Sequence, residues 1–292
     1  MSIAKDLHLN SLICGANGVG IVAHDAGGAN ILNALTKRFS NINFYLFIDG
    51  PAVKIFDSNN VYFISDPILF FEKVNFVLLG TGSTSFEKIA LRRAKEIGCE
   101  TAVLLDHFVN FKARFIHESQ IVFPDYCFVC DEYSYEIAKR ELAPYKSIFV
   151  CENYLVSNMR LEIGIPDIYK NKNVLYVLEN VNENWDERLL PWEVAFKNFY
   201  NNFYLHKSFN NIIVRPHPKD DPEIYRSLNS YDEIIFDYDS SPIGSLRSVS
   251  TVVGVESYLL NLAHHCGYCV YTSLPADIRR PRLPENVYKV FD

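Results

Sequence analysis

The chain has 292 residues, enough for one large or two medium domains, and carries a formal net charge of −7. Hydrophobic residues make up 49% and aromatics 14%, which provides a packed core and excludes a disordered chain. The acidic balance excludes bulk binding of nucleic acid, so any anion site must be a local basic cleft.

No apolar run is long enough to span a bilayer. The opening "MSIAKDLHLNSLICGANG" lacks the apolar core and cleavage pattern of a signal peptide. A cytoplasmic location is expected, compatible with peripheral association at the inner membrane face. Seven cysteines are an odd number for a disulfide framework, and most fall in apolar runs. The pairs Cys127/Cys130 and Cys266/Cys269 lie far apart in strand-like segments, so buried reduced thiols are expected instead of a zinc site.

In chain order, an irregular start leads to a short buried strand at Ile21–Ala23 and a glycine loop. A helix from about Ala29 follows, with Ile31, Leu32, Leu35 and Phe39 on one face. "INFYLFID" and "VYFIS" read as strands. "VNFVLLGTGSTSFEKIALRRAKEIG" reads as strand, polar loop and helix, ending at Gly98. "CETAVLLDHF" is another apolar strand, and "PDYCFVCDEYSYEIAKREL" a strand followed by a helix. The polar stretch "IPDIYKNKN" is a linker. Beyond it come the strand "NVLYVLEN", the aromatic helix "PWEVAFKNFYNNFYLHKSF", and the strands "NNIIVRPHP" and "DEIIFDYD". The strand–loop–helix–strand run "STVVGVESYLLNLAHHCGYCVYTS" completes the pattern. Continuous apolar strands alternating with amphipathic helices imply parallel sheets covered on both faces. The expected fold is α/β, two Rossmann-like domains facing a central cleft, over residues 1–165 and 166–292.

In such sheets ligands bind outside the carboxyl ends of the strands, so the residues just after each strand are the candidates. In the first domain these are His24, Asp25, Gly27 and Gly28; then Thr81, Ser83 and Thr84; then Asp106 and His107. Glycines before a helix let an anion approach its N-terminal amides. The spacing is not G-x-G-x-x-G, so it is no dinucleotide fingerprint. A carboxylate beside an imidazole at a strand end, as in Asp106-His107, is suited to general base work. The competing structural readings are a solvated or capping Asp25, an N-terminal capping arrangement of Ser83 with Phe86 and Glu87, and loop orientation for Asp106. Asp131 and Glu132 open a helix and read as capping residues.

In the second domain "IIVRPHPKDD" presents Arg215, His217 and Lys219 from a proline-framed strand end. "VVGVES" presents Gly254, Glu256 and Ser257 before an apolar helix. Arg and His can bind phosphate, the Ser257 hydroxyl and first helical amides can grip it, and Glu256 can accept from a sugar hydroxyl. The polar loop "YDSS" from Tyr238 to Ser241 lies near the same edge. The structural alternative for Arg215 is a salt bridge to Asp220 or Asp221. No G-x-S-x-G nucleophile elbow appears, and His264-His265 are too close in sequence to face one metal ion together.

"RPHP" followed by acids resembles the His-Pro motif of bacterial capsule-building enzymes: polysialyltransferases, Kdo transferases and teichoic-acid glycerophosphate transferases. With "VVGVESYLLNLA", the chain is similar to glycosyltransferases of the two-Rossmann-domain GT-B type. The resemblance implies that His217 and Ser257 bind the phosphate of a nucleotide donor, cytidine type favoured. It departs from the sialyltransferases in that "DEY" at Asp131–Tyr133 lacks the glycine of their base motif, which leaves Asp25 and Asp106 as base candidates. The small second domain also admits a ribose-diphosphate donor. The implied activity is a glycosyltransferase of surface-polysaccharide assembly that needs no metal or other cofactor. It would take a phosphate-activated sugar donor and a glycan or lipid-linked glycan acceptor. A nucleotide-sugar epimerase or hydrolase, and a non-catalytic binding protein on the same fold, are the alternatives.

Overall fold

The computed structural model describes residues 7–57, 60–82, 84–164, 172–179, 181, 183–217, 220–238 and 241–291. The chain divides into two compact units, Met1–Asn158 and Met159–Asp292. Most of the expected linker, residues 165–171, lies outside the described residues.

The first unit opens with helix α1 (Leu7–Gly15) and strand β1 (Val19–Ala23). There follow α2 (Ala26–Arg38), β2 (Phe44–Ile48), β3 (Val61–Phe63), α3 (Pro67–Lys73), β4 (Phe76–Leu79), α4 (Phe86–Glu96) and β5 (Glu100–Leu105). A small hairpin, β6 (Ile116–His117) with β7 (Gln120–Ile121), precedes β8 (Tyr126–Val129), α5 (Glu132–Glu141), β9 (Ile148–Val150) and α6 (Tyr154–Ile163), whose residues from Met159 on belong to the second unit. Seven strands pair in parallel in the order β3-β2-β1-β4-β5-β8-β9. All of β1 and β4, and β5 beyond Glu100, are buried, as two-sided coverage requires.

Two local departures from the sequence reading have physical causes. The expected irregular start is α1, which fully buries Leu9 and Ile13, roughly 1.5–3 kcal/mol of apolar burial each. Helix α2 begins at Ala26 instead of about Ala29, so Gly27 and Gly28 lie in its first turn. They are needed there for clearance. A Cβ on Gly28 would sit 3.0 Å from the Gly80 Cα and 3.1 Å from the Thr81 amide nitrogen, so α2 rests directly on the end of β4.

The second unit contains β10 (Val174–Val177), α7 (Pro191–Asn202), β11 (Ile212–Arg215), a 3-10 segment (Pro222–Ser230), β12 (Ile234–Phe236), α8 (Ile243–Arg247), β13 (Thr251–Gly254), α9 (Tyr258–His265) and β14 (Cys269–Thr272). Its five strands are parallel in the order β12-β11-β10-β13-β14. Helix α7 packs its aromatic face on the sheet, where Phe196 meets Tyr176 of β10 edge-on at 5.1 Å, and against the 3-10 segment, where Trp192 meets Tyr225 at 5.1 Å. Each unit runs outward from its first strand, then jumps back to that strand's other side. That is Rossmann-like order, with a switch point between β1 and β4 in one unit and between β10 and β13 in the other.

Candidate functional site

Each unit carries a row of polar residues at its switch point. In the first unit, register puts Val22, Leu79 and Val103 level on β1, β4 and β5. Asp25, Thr81 and Asp106 lie two or three residues beyond that line, at three strand ends spanning about 10 Å.

Asp106 is tightly held. Its Oδ1 accepts from Arg114 Nη1 at 2.7 Å and from the Thr81 hydroxyl at 3.4 Å. Arg114 comes from a 3-10 turn (Lys112–Phe115) and also donates to the Thr81 carbonyl at 3.3 Å. The other oxygen, Oδ2, lies 2.0 Å from where a Gly27 Cβ would stand. Gly27 therefore lets the carboxylate settle against the first turn of α2, where the helix dipole favours negative charge. His107 points its Nδ1 at the Phe108 amide, 2.9 Å away, and packs its ring on Phe108. Asp106 and His107 are thus each oriented by other groups, an ion pair and a loop amide.

Asp25 pairs with its neighbour. Its Oδ1 lies 2.8 Å from His24 Nδ1, and both side chains keep about a fifth of their surface exposed (21% and 22%). The His24 amide donates to Glu87 Oε1 at 2.9 Å. Glu87 itself is buried, and its Oε2 has no partner among the described residues. A Cβ on Gly82 would lie 3.0 Å from both Asp25 Cγ and Glu87 Oε1, so the loop backbone threads between two acids. Thr84 Oγ1 accepts from the Phe86 amide at 3.4 Å, a capping contact, and Ser83 lies outside the described residues.

In the second unit, Arg215, Val177 and Gly254 are level on β11, β10 and β13. His217, Glu179 and Glu256 each follow that line by two residues, and Ser257 by three. Arg215 is 7% exposed and donates to Asp237 Oδ2 at 2.8 Å, with Ser245 beside both. The acid that meets Arg215 is therefore Asp237, not Asp220 or Asp221. Asp220 accepts from the Tyr225 hydroxyl, and Asp221 accepts from the Glu223 amide at 3.0 Å to open the 3-10 segment. His217 is half-buried in the turn after Arg215, its carbonyl accepting from the Asp220 amide at 3.0 Å. Lys219 lies outside the described residues, as do Asp239 and Ser240 of the "YDSS" loop.

Ser257 caps α9, accepting from the Leu259 amide at 3.3 Å. The amides of Glu256 and Ser257 donate to Glu179 Oε1, at 2.8 and 2.5 Å. An internal carboxylate thus occupies the donors expected to meet a phosphate. Burial pushes the Glu179 carboxyl up to about 7 despite those amides. Gly254 lets β13 and α9 close up: a Cβ there would meet Leu260 Cδ1 and the Val177 carbonyl at 3.0 Å. The Glu256 carboxylate is engaged by Arg279 at 2.7 and 2.8 Å and by the Arg282 amide at 2.9 Å. Arg279 also grips Glu183 bidentately at 3.0 Å. Burial raises Glu256, but Arg279 and the Arg282 amide outweigh it and hold the carboxyl below its ordinary range. Hydrogen bonds from Arg279 and Trp185 lower Glu183 as well.

Strand-end reasoning missed Glu179, although it closes the strand "NVLYVLEN" and so carried the same signal as its neighbours. It also missed Glu87 as a site residue, and Arg114, Asp237, Glu183 and Arg279, which no local pattern marks. Among the described residues no group of three or more His, Cys, Asp or Glu side chains could hold a metal ion, and no helix is long and apolar enough to cross a membrane.

No protein-family model matches the sequence, and no curated protein matches it. Solved structures do share its fold. UDP-GlcNAc 2-epimerase from Methanocaldococcus jannaschii superposes with a TM-score of 0.61 at 14% identity, covering 94% of this chain and 88% of that one. A Listeria monocytogenes protein described as a UDP-N-acetylglucosamine 2-epimerase gives 0.62 at 13%, covering 87% and 79%. A variant of the wall teichoic acid polymerase TagF, soaked with CDPG, gives 0.53 at 10%, covering 88% and 70%. At these identities the likeness is one of fold: the chain has two Rossmann-like domains of the GT-B type, a fold it shares with these epimerases and with TagF.

Proposed function

We propose that this chain is an enzyme acting on a phosphate-activated sugar, specifically a glycosyltransferase of bacterial surface-polysaccharide synthesis with a cytidine-type donor favoured. The observation that carries the reading is the register of the second unit, which sets His217, Glu179 and Ser257 on three adjacent strand ends over about 10 Å. His217 meets a donor phosphate. Arg215, fixed by Asp237, is a positioning residue for the turn that presents His217. The phosphate takes over the Glu256 and Ser257 amides from Glu179. These donors stabilise the charge that builds on the leaving phosphate as the sugar–oxygen bond breaks and its electron pair passes to the nucleotide. Asp25, paired with His24, removes the proton from the acceptor hydroxyl that forms the new bond. Asp106, neutralised by Arg114, holds the loop that Asp25 faces. The fold shared with TagF, soaked with CDPG, supports the cytidine choice.

Calorimetry with cytidine and uridine nucleotides tests this. His217→Ala should weaken the preferred nucleotide by roughly tenfold or more, the scale of one charge-assisted hydrogen bond. Unchanged affinity would refute the reading. A second reading, a nucleotide-sugar epimerase or hydrolase, is favoured by Glu179: a carboxyl that titrates near neutrality at the switch point suits proton transfer. Incubation with a nucleotide sugar and no acceptor separates the two, since only the second turns over at its full rate there, to the epimeric nucleotide sugar if an epimerase or, with water, to free nucleotide and sugar if a hydrolase.

A further inference from the structure

The spacing "CFVC" does not bring its own two cysteines together. Cys127 lies in β8 and Cys130 just after it. Side chains alternate along a strand, so thiols three residues apart leave opposite faces of the sheet. Cys130 has a different neighbour. On the parallel strands β8 and β9, register sets Phe128 opposite Phe149 and Val129 opposite Val150. The ladder runs one step further, because the Cys151 amide donates to the Val129 carbonyl at 2.9 Å. Cys130 and Cys151 therefore stand opposite each other, one residue past each strand. They lie two residues beyond the Phe128–Phe149 ring pair, whose centroids are 5.7 Å apart. All four side chains pack into the core face that also holds Leu9, Ile13 and Ile31.

Neighbouring strands lie about 4.8 Å apart, within the Cα separation of about 4.4–6.8 Å that a disulfide spans. In mid-sheet the hydrogen-bond ladder would resist the last step of approach, but both cysteines lie past the end of their strands. The two thiols differ in access. Cys151 is 1% exposed, whereas Cys130 is only partly buried. The adjoining Cys151 thiol, burial and the charges of Asp131 and Asp106 all push the Cys130 thiol well above its ordinary value. Little thiolate is present at neutral pH, so the pair stays reduced until oxidant or pH rises. Cys130 Sγ also lies 3.9 Å from the Leu105 carbonyl, at the end of β5 next to Asp106. Because β8 sits between β5 and β9, closing on Cys151 draws Cys130 away from that strand end.

We propose that Cys130 and Cys151 are a reversible redox pair that closes to a disulfide by exchange with a low-molecular-weight disulfide. The Cys130 thiolate attacks one sulfur of the small disulfide, and the first small thiol leaves with the electron pair of the broken bond. Cys151 then attacks Cys130 Sγ, and the second small thiol leaves. Two protein thiols are oxidised, one small disulfide is reduced to two thiols, and the two protons pass to them. Cys130 is the attacking thiol because it is the one an outside reagent meets. Cys151 resolves because its route to the oxidant runs through Cys130.

The test is incubation of the folded full chain with oxidised glutathione at about pH 8, alkylation of the remaining thiols and peptide mapping by mass spectrometry. Wild type should yield a Cys130–Cys151 cross-linked peptide that dithiothreitol reverses. Cys151→Ser should stop at a glutathione adduct on Cys130. Cys130→Ser should leave Cys151 unmodified. Closure should speed up about tenfold per pH unit, as the supply of thiolate does below its pKa. A Cys127–Cys130 link, a lasting glutathione adduct on wild-type Cys130, or an unmodified Cys130 overturns the proposal. So does an adduct on Cys151 in Cys130→Ser. Modification of the buried Cys99 and Cys127 at the same rate also overturns it, because exchange would then run through unfolding. No donor or acceptor enters the experiment, so its outcome is independent of the transferase reading.

Discussion

Replacing Glu179 by glutamine should stabilise the second unit at pH 8 and leave it nearly unchanged at pH 4.5. In the folded chain burial pushes this carboxyl up to about 7, against 4.5 for an ordinary glutamate. A folded value above the unfolded one means that the fold prefers the protonated acid. Below pH 4.5 the acid is protonated in both states and nothing is lost. As pH rises from 4.5 to 7 the unfolded chain ionises first, and stability falls. Above 7 the full penalty is present, about 3 kcal/mol for a difference of that size. Glutamine keeps an acceptor oxygen for the Glu256 and Ser257 amides and carries no charge to desolvate. For a unit of this size about 3 kcal/mol corresponds to roughly 10 °C in Tm. The assay is unfolding followed by tryptophan fluorescence from pH 4.5 to 8. Both tryptophans, Trp185 and Trp192, lie in the second unit, so the signal reports on it alone. His264, whose pKa burial lowers, contributes in the opposite direction below pH 6.5, but it cancels in the difference between wild type and variant. Parallel profiles across this range, or a variant less stable than wild type at pH 8, would refute the reasoning.

Arg215→Met removes the buried guanidinium from the half-buried Asp237 carboxylate and should cost roughly 3 kcal/mol in urea unfolding, part of it recovered by adding Asp237→Asn; a loss under about 1 kcal/mol would show that the pair is not what fixes the turn. Gly27→Ala forces the Asp106 carboxylate off its seat and should cost about 1–3 kcal/mol, and a double-mutant cycle with Asp106→Ala should show that most of this loss disappears once the carboxylate is gone. Arg279→Met removes the cation that holds Glu183 and Glu256 below the ordinary carboxylate range. Stabilisation of this sign is present above about pH 4.5 and lost as pH falls through the lower folded values. The gap between variant and wild type should therefore be roughly 2 kcal/mol at pH 7 and close below about pH 4 in thermal unfolding across pH.

The central strands were legible because their information is local, whereas the three-residue edge strand β9 and the β6–β7 hairpin went unread because they are too short to form an apolar run. Runs such as Val19–Ala23 and Thr251–Gly254 are buried on both faces, and a continuous apolar run between turns announces that. Parallel pairing followed from the alternation with helices, and the strand ends followed from parallel pairing. That is why Asp25, Asp106, His217 and Ser257 could be named from the sequence, and why the same rule, applied evenly, would have named Glu179. The short helices α1 and α3 were not legible, because nine and seven residues carry too few turns for an apolar period to stand out.

Partner choice belonged to the tertiary structure. Arg215 meets Asp237, twenty-two residues on, because β12 lies beside β11 in the sheet; the acids nearest in sequence were already committed to a tyrosine hydroxyl and a turn amide. Glu179 reaches the first amides before α9 because β10 and β13 are neighbours, although seventy-seven residues separate it from Glu256. A charge finds its partner by distance in space, and strand order sets that distance. Burial patterns within each segment determined which residues stand at the strand ends, and the order of the strands decided which of them meet.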